Sequence, residues 1–283
     1  MPQHLPQHKA FMLSDFGMRL RRVASSQGED TAVAYTHQDD YYIFGLMEKG
    51  TGCGIIDFKE QYIYQGDVLL IQPGQVHRFI RSEDAEGWFL MADSSFVGSA
   101  EKCIFDNFSL FASFLRIDER RRNELSQIAS LLANRLDGIT DELAKATVRR
   151  LAETFIGIVA EAVQDINLQQ ASHNRRHIEI VSSFRRLLAE HLAKSRQPSY
   201  YASLLNISVV YLNEVVKDVT GMSATLYIKN EVVLQAKRLL VHTDLAVKEI
   251  SNRLGIDDYA YFSRLFAQVT GISPTLFRER NLE

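Results

Sequence analysis

Val219-Thr220-Gly221-Met222-Ser223-Ala224-Thr225-Leu226-Tyr227 recurs as Val269-Thr270-Gly271-Ile272-Ser273-Pro274-Thr275-Leu276-Phe277, at an offset of 50. The match runs upstream, where Tyr211-Leu212 answers Tyr261-Phe262 and Val215-Val216 answers Leu265-Phe266. Before that, Leu205-Asn206-Ile207 matches Leu254-Gly255-Ile256 at an offset of 49. An insertion of one residue confined to a turn is what two copies of one helix-turn-helix unit would show. In each copy a short helix, 200–205 or 247–254, ends at Asn206 or Gly255, residues that accept the left-handed backbone of a tight turn. Ser208 or Asp257 can then cap a second helix that runs to the Thr-Gly stop at Gly221 or Gly271. Leu212, Val215, Val216 and Val219, and in the other copy Phe262, Leu265, Phe266 and Val269, form an inward stripe and leave the outward face free. Between the copies, 224–241 reads as one apolar-periodic helix, about 27 Å long at 1.5 Å per residue.

The 283 residues, 46% hydrophobic and 24% charged, suit a globular chain of about two domains and exclude fibrous and disordered classes. No apolar run is long enough to span a bilayer and the first residues lack an apolar leader segment, so no membrane association and a cytoplasmic location are expected. Cys53 and Cys103 are too few for a disulfide scaffold and read as small buried or half-buried apolar residues. The net charge of −3 hides an asymmetry: residues 1–174 hold 17 basic and 24 acidic side chains, residues 175–283 hold 15 and 11. The basic end is the one that carries the repeat, and basic surface favours a polyanionic partner.

The N-terminal half is written differently. Between 41 and 91, short runs rich in β-branched and aromatic residues (42–47, 54–58, 62–64, 68–71, 88–91) are punctuated by Gly50, Gly52, Gly54, Gly66 and Pro73-Gly74, which argues for a small β-barrel or jelly roll. From about Asp118 the period changes to 3.6. Leu125, Ile128, Ala129, Leu131, Leu132 and Leu136 lie on one helix, and Leu143, Val148, Leu151, Phe155, Ile158, Val159 and Val163 on the next. Their apolar faces either cover the barrel or pair with a second copy of the chain. The polar stretch 164–176 reads as a linker.

At the second motif the sequence resembles the AraC/XylS family of bacterial transcriptional regulators. Its pattern appears here as Ile250-Ser251, Gly255-Ile256, Tyr261-Phe262-Ser263-Arg264-Leu265-Phe266 and Gly271-Ile272-Ser273-Pro274-Thr275-Leu276-Phe277-Arg278. A weaker resemblance covers Gly66-Asp67-Val68-Leu69-Leu70-Ile71-Gln72-Pro73-Gly74-Gln75-Val76-His77, which is similar to the signature of a cupin-type effector domain. The expected fold is therefore α+β in two domains: a cupin-like β-barrel sensor at 1–115, a helical dimerisation or packing segment at 116–168, a linker at 169–177, and an all-α domain at 178–283 with two helix-turn-helix motifs joined by a long helix. The resemblance implies a promoter-binding regulator, commonly an activator, with double-stranded DNA, RNA polymerase, a small-molecule effector and a second copy of the chain as partners.

A rigid spacer about 27 Å long could hold two recognition helices in successive major-groove segments, about 34 Å apart on one face of a duplex. The first would present Val209, Val210, Asn213 and Glu214, with Lys217 as a phosphate contact. Asn213 can bond an adenine edge bidentately and the valines can touch thymine methyls. Glu214 stands where the family usually has Arg; a carboxylate accepts from cytosine N4 but is repelled by phosphate, so the first motif is expected to bind weakly or to prefer C·G at one step. The second helix would present Tyr259, Ala260, Ser263 and Arg264, with Arg264 the candidate for guanine or phosphate and Ala267 lacking the usual family lysine.

For the barrel, alternation and the resemblance give Tyr42, His77, Phe79, Trp88, Leu90 and Ala92 as effector-binding residues. A lining this apolar favours an apolar effector, or a barrel that has lost its ligand, over a sugar. A metal-binding cupin gathers two or three histidines and a carboxylate on one ion; His37 and His77, far apart in sequence, are expected to be apart in space, so no metal, no cofactor and no catalytic residue is expected. The competing reading is a cupin-like enzyme or ligand carrier whose helical domain serves interaction only.

Overall fold

The structure, a computed structural model, describes residues 7–9, 13–14, 16–23, 35–108, 112–137, 139, 141–169 and 175–281. The chain divides into two compact units, one of residues 6–169 and one that contains 170–283. Among the described residues, no helix is long and apolar enough to cross a membrane.

The first unit is built on two long antiparallel strands, β4 (Tyr42–Ile56) and β7 (Val76–Ala92). Onto them are paired β1 (Gln7–His8), β2 (Met18–Val23), β3 (His37–Asp39), β5 (Lys59–Tyr64), β6 (Asp67–Ile71) and β8 (Phe114–Arg116), in the order β1-β3-β7-β4-β6-β8, with β2 also on β7 and β5 also on β4. The stretches 42–47 and 54–58, expected as separate strands, are one strand, and 88–91 is the end of β7. Of the glycines between them, Gly50 lies in a bulge and Gly54 beside another, while Gly52 pairs regularly with Ser82 and Ile63, so none of them is a turn. Gly50 has φ 74°, and a Cβ there would lie 2.3 Å from the Glu83 and Asp84 carbonyls; one on Gly87 would lie 2.0 Å from the Leu46 carbonyl. The β4–β5 hairpin turns through Asp57 and Phe58, both at positive φ, which matches the twist of its flanking strands. Asp67, buried, accepts from the Tyr64 amide at 2.8 Å and from Arg116 Nε at 2.6 Å, so the Gly66-Asp67 pair ties the β5–β6 turn to β8.

Helices α1 (Ser99–Phe108), α2 (Glu119–Leu136) and α3 (Glu142–Gln169) follow. The first was not foreseen from the sequence; it is short, and Phe105 and Phe108 are its buried anchors. Leu125, Ala129 and Leu132 of α2 and Val148, Ala152, Phe155, Val159 and Val163 of α3 pack in one core with Phe44, Leu46, Leu70 and Leu90 of the sheet. The helices thus cover the barrel. Leu131 and Leu143, expected on that inner face, are 44% and 73% exposed. Cys53 is buried, whereas Cys103 is exposed rather than packed. The helix α3 reaches Gln169 and the next, α4 (Arg175–His191), starts at Arg175, so 164–169 and 175–176 are helical where a linker was expected.

The second unit continues with α5 (Pro198–Leu204), α6 (Val209–Thr220), α7 (Ala224–His242), α8 (Val247–Arg253), α9 (Tyr259–Thr270) and α10 (Pro274–Asn281). Its centre is α7, which packs against α5, α6, α8, α9 and α10. Its 19 residues give about 28 Å of spacer. Arg278 donates to the carbonyls of Leu240 and Leu245 at 2.9 and 2.7 Å, closing the end of α7 with a cation where the helix dipole is negative.

Candidate nucleic-acid interface and barrel cavity

The recognition-type helices α6 and α9 are set by matching local chemistry. Ser208 caps α6 by accepting from the Tyr211 amide at 3.1 Å. In the second copy the cap is Asp258, accepting from the Tyr261 amide at 2.9 Å, and not Asp257; Asp257 is the extra residue of the turn. Both helices stop at glycines of positive φ, 72° at Gly221 and 80° at Gly271. Thr220 and Thr270 each donate to a carbonyl one turn back (Val216, Phe266) and accept from an amide two residues on (Met222, Ile272). The inward stripes are buried as expected, except that Val269 is 38% exposed against 9% for Val219.

On the outward faces Val209, Val210, Glu214 and Lys217 of α6, and Tyr259, Ala260 and Arg264 of α9, are exposed, with Val210 at 78%. Of the other two residues proposed for base contact, Asn213 is bonded to the scaffold and Ser263 has its hydroxyl buried. Asn213 is exposed, but its Oδ1 accepts from the Ala224 amide at 3.1 Å, which holds the side chain against the start of α7, so bidentate adenine contact would have to compete with that bond. Ser263, at the matching place, has a buried hydroxyl with no hydrogen-bond partner, so it does not reach the outer surface. Two exposed polar residues were missed, Asp218 and Gln268, at matching places on the same faces. Asp218 pairs with His177 Nδ1 at 2.7 Å. The first face carries Glu214 and Asp218 against Lys217; the second carries Arg264 and no acid within the helix.

Within the barrel the sheet has two apolar faces. One faces the helices, through Tyr42, Phe44, Leu90 and Ala92. The other, through Tyr41, Ile43, Ile56 and Ile71 with Leu69, Phe89 and Met91, lines a cavity of about 210 Å³. Of the six effector-binding expectations, His77, Phe79 and Trp88 line this cavity, while Tyr42, Leu90 and Ala92 lie on the opposite face. Alternation placed His77 and Phe79 correctly and was one residue out of step at Tyr42, Leu90 and Ala92; Trp88 touches both the cavity and the helix-side core.

The cavity wall also holds four polar residues that the sequence did not bring together. His37 pairs with His77 across β3 and β7, and their rings are 4.2 Å apart, which overturns the expectation that they are distant. His8 lies on β1, beside β3, its ring 4.8 Å from that of His37. Asp39 is 1% exposed and stands 3.1 Å from His8 Nδ1, 3.3 Å from His77 Nε2 and 3.8 Å from His37 Nε2. Burial, aided by repulsion from His77, lowers the pKa of His37 to about 4. Burial alone would raise the Asp39 carboxyl, but the surrounding imidazoles outweigh it and hold the group below its ordinary value. Burial and the Asp39 charge push the Tyr41 phenol upward. The spacing of His37 and Asp39, two residues apart and so on one face of a strand, was the available signal.

A family model for an AraC-like ligand binding domain matches residues 22–157, and one for a helix-turn-helix domain matches residues 201–280. The arabinose operon regulatory protein of Salmonella typhimurium is 27% identical over 247 residues, covering 84% of this chain and 83% of that protein. The transcriptional activator RhaR of Cronobacter sakazakii is 32% identical over 81 residues, 29% of each chain. The solved structure of ToxT from Vibrio cholerae aligns with 92% of this chain and 97% of its own at 13% identity, with a TM-score of 0.44.

Proposed function

The chain belongs to the AraC family of transcriptional regulators, with a ligand-binding N-terminal domain and a DNA-binding C-terminal one, and from that premise we propose which residues carry each task. The helices α6 and α9 enter successive major-groove segments of promoter DNA, held apart by α7. Arg264 reads guanine or grips phosphate, Val209 and Val210 contact thymine methyls, Lys217 contacts phosphate, and Tyr259 and Ala260 complete the second face. Asn213 and Ser263 are left out, because their polar atoms serve or face the interior. The observation that carries this reading is the duplication of two capped helices that pack by their inward stripes and leave Val209, Val210, Lys217, Tyr259, Ala260 and Arg264 exposed.

The effector is taken up in the barrel cavity, whose wall joins an apolar surface (Ile43, Ile71, Phe79, Phe89 and Met91) to the polar cluster of His8, His37, His77 and Asp39, which suits a small molecule with an apolar body and a polar end. The protein acts as a cytoplasmic activator that contacts RNA polymerase and has no catalytic activity. It pairs with a second copy through α2 and α3, where Leu131 and Leu143 are exposed.

Selection of bound duplexes from a random DNA pool with the full chain tests the assignment. Two enriched motifs about one helical turn apart are expected. No enrichment, with the full chain or with residues 175–283 alone, would overturn it. Enrichment of one motif on the α9 side would mean that Glu214 has disabled the first reader.

A further inference from the structure

We propose that the barrel binds a divalent first-row transition-metal ion between His8, His37, His77 and Asp39, in the wall of the cavity. Facing atoms of His8, His37 and Asp39 lie within 4.8 Å of one another, and His77 Nε2 is 3.3 Å from Asp39. A tetrahedral ion with bonds of about 2.0–2.1 Å sets its ligand atoms about 3.4 Å apart, a change that small side-chain rotations supply.

The hydrogen bonds around the cluster carry the argument further. His37 Nδ1 is 2.9 Å from the Tyr35 carbonyl and His77 Nδ1 is 3.1 Å from the Gln75 carbonyl. A carbonyl oxygen accepts and never donates, so both Nδ1 atoms carry the hydrogen. In the neutral rings the Nε2 atoms then present lone pairs, and both are turned toward Asp39 Oδ2, itself an acceptor. Asp39 has His77 and Tyr41 as hydrogen-bonding neighbours, but neither of its oxygens makes a bond of good geometry. His8 turns Nδ1 toward Asp39 at 3.1 Å, with Nε2 3.0 Å from the Tyr35 hydroxyl; that hydroxyl can donate or accept, so His8 can face the carboxylate with either a lone pair or an N–H. Lone pairs and a buried carboxylate converging on one point require a positive charge there. Among the described residues no lysine or arginine pairs with Asp39. One imidazole nitrogen held by an outer oxygen while the other faces inward is how metal-bound histidines are oriented. Three nitrogens and one carboxylate suit zinc, nickel, cobalt, iron or copper, and not calcium or magnesium.

An ion at this point ties β1 and β3 to β7 and presents a Lewis-acidic position to the cavity, where an oxygen or nitrogen donor of the effector can complete its shell. That last role rests on the effector reading given above; the binding of the ion does not.

The test is titration of the untagged full chain, stripped with a chelator, with Co²⁺ read by its visible absorption and with Zn²⁺ read by calorimetry. One equivalent of either ion is expected to bind, and to raise the melting temperature. The double variant His37→Gln/His77→Gln should weaken binding by at least about 100-fold, and His8→Gln, at a half-exposed strand end, by about 10-fold with an unchanged circular-dichroism spectrum. His191→Gln, in the other unit, should bind as the wild type does. No binding to the wild type, or undiminished binding to the double variant, would overturn the proposal and leave a proton shared among the imidazoles as the compensating charge. Because DNA selection is read independently of metal content, loss of one result does not decide the other.

Discussion

In the first helix-turn-helix the chain turns through Asn206 at φ 55°, and in the second through Gly255 at φ 73°. The two turns are alike in shape and differ in surroundings. A Cβ on Gly255 would sit 1.9 Å from the Ala193 carbonyl, after α4, so the second turn is wedged against a neighbour as the first is not. The joints beyond the recognition helices differ in the same compensated manner. Ala224 opens α7 with an amide that needs an acceptor, and Asn213 supplies it. Pro274, at the matching place as first residue of α10, has no N–H, and there Ser263 supplies nothing. The outward faces, by contrast, share no residue type at their reading positions. The duplication therefore conserves the scaffold down to single hydrogen bonds, with changes made in pairs, and leaves the reading faces free to diverge.

The sharpest break in that comparison should come from the turns. Gly255→Ala combines a left-handed residue with a backbone clash and is expected to cost the helical domain about 3 kcal/mol in urea unfolding. Asn206→Gly should stay within about 0.5 kcal/mol. Equal costs at the two turns would mean that the wedge against Ala193 is relieved by a small backbone shift. Next come the faces: Arg264→Ala should weaken specific DNA binding by about 1–3 kcal/mol. Glu214→Arg should strengthen binding by removing a charge that phosphate repels, and unchanged affinity in both variants would sink the face assignment. The joints should give a smaller, opposed pair of effects. Asn213→Ala is expected to destabilise the domain by about 1 kcal/mol, because the Ala224 amide loses its acceptor, while Ser263→Ala should be neutral or slightly stabilising. Thermal unfolding of the two variants side by side decides it. Smallest of all, Lys217→Ala should lower the slope of log affinity against log salt by about one unit.

The helical domain was legible because its signals are local: left-handed stops, caps and a 3.6-residue stripe lie within a few residues of one another. Even there the cap was placed one residue early, at Asp257 rather than Asp258, since two adjacent aspartates are equally able to cap. The barrel was legible as a class and not in its register. Residues Tyr41 through Met47 are all buried, because the helices cover one face of β4 and the cavity wall forms the other. A strand buried on both sides shows no polar alternation to say which residue faces which way. Tyr42, Leu90 and Ala92 were therefore assigned to the cavity that Tyr41, Phe89 and Met91 line. The histidine cluster lay further out of reach. His8, His37 and His77 meet through a parallel β1–β3 pairing and an antiparallel β3–β7 pairing, neither joined by a tight turn that sequence could flag.

The bond from the Ala224 amide to Asn213 also makes a reporter of that amide. Most helical N–H groups exchange with solvent when their own helix frays or unfolds, but this one, at the first residue of α7, is covered by a side chain from α6. Its hydrogen leaves only when α6 and α7 part, so its exchange rate measures how often the joint below the first recognition helix opens. Proline leaves the second joint silent in the same experiment, and an increase in Ala224 protection on adding promoter DNA would be the tightening of the first reader alone.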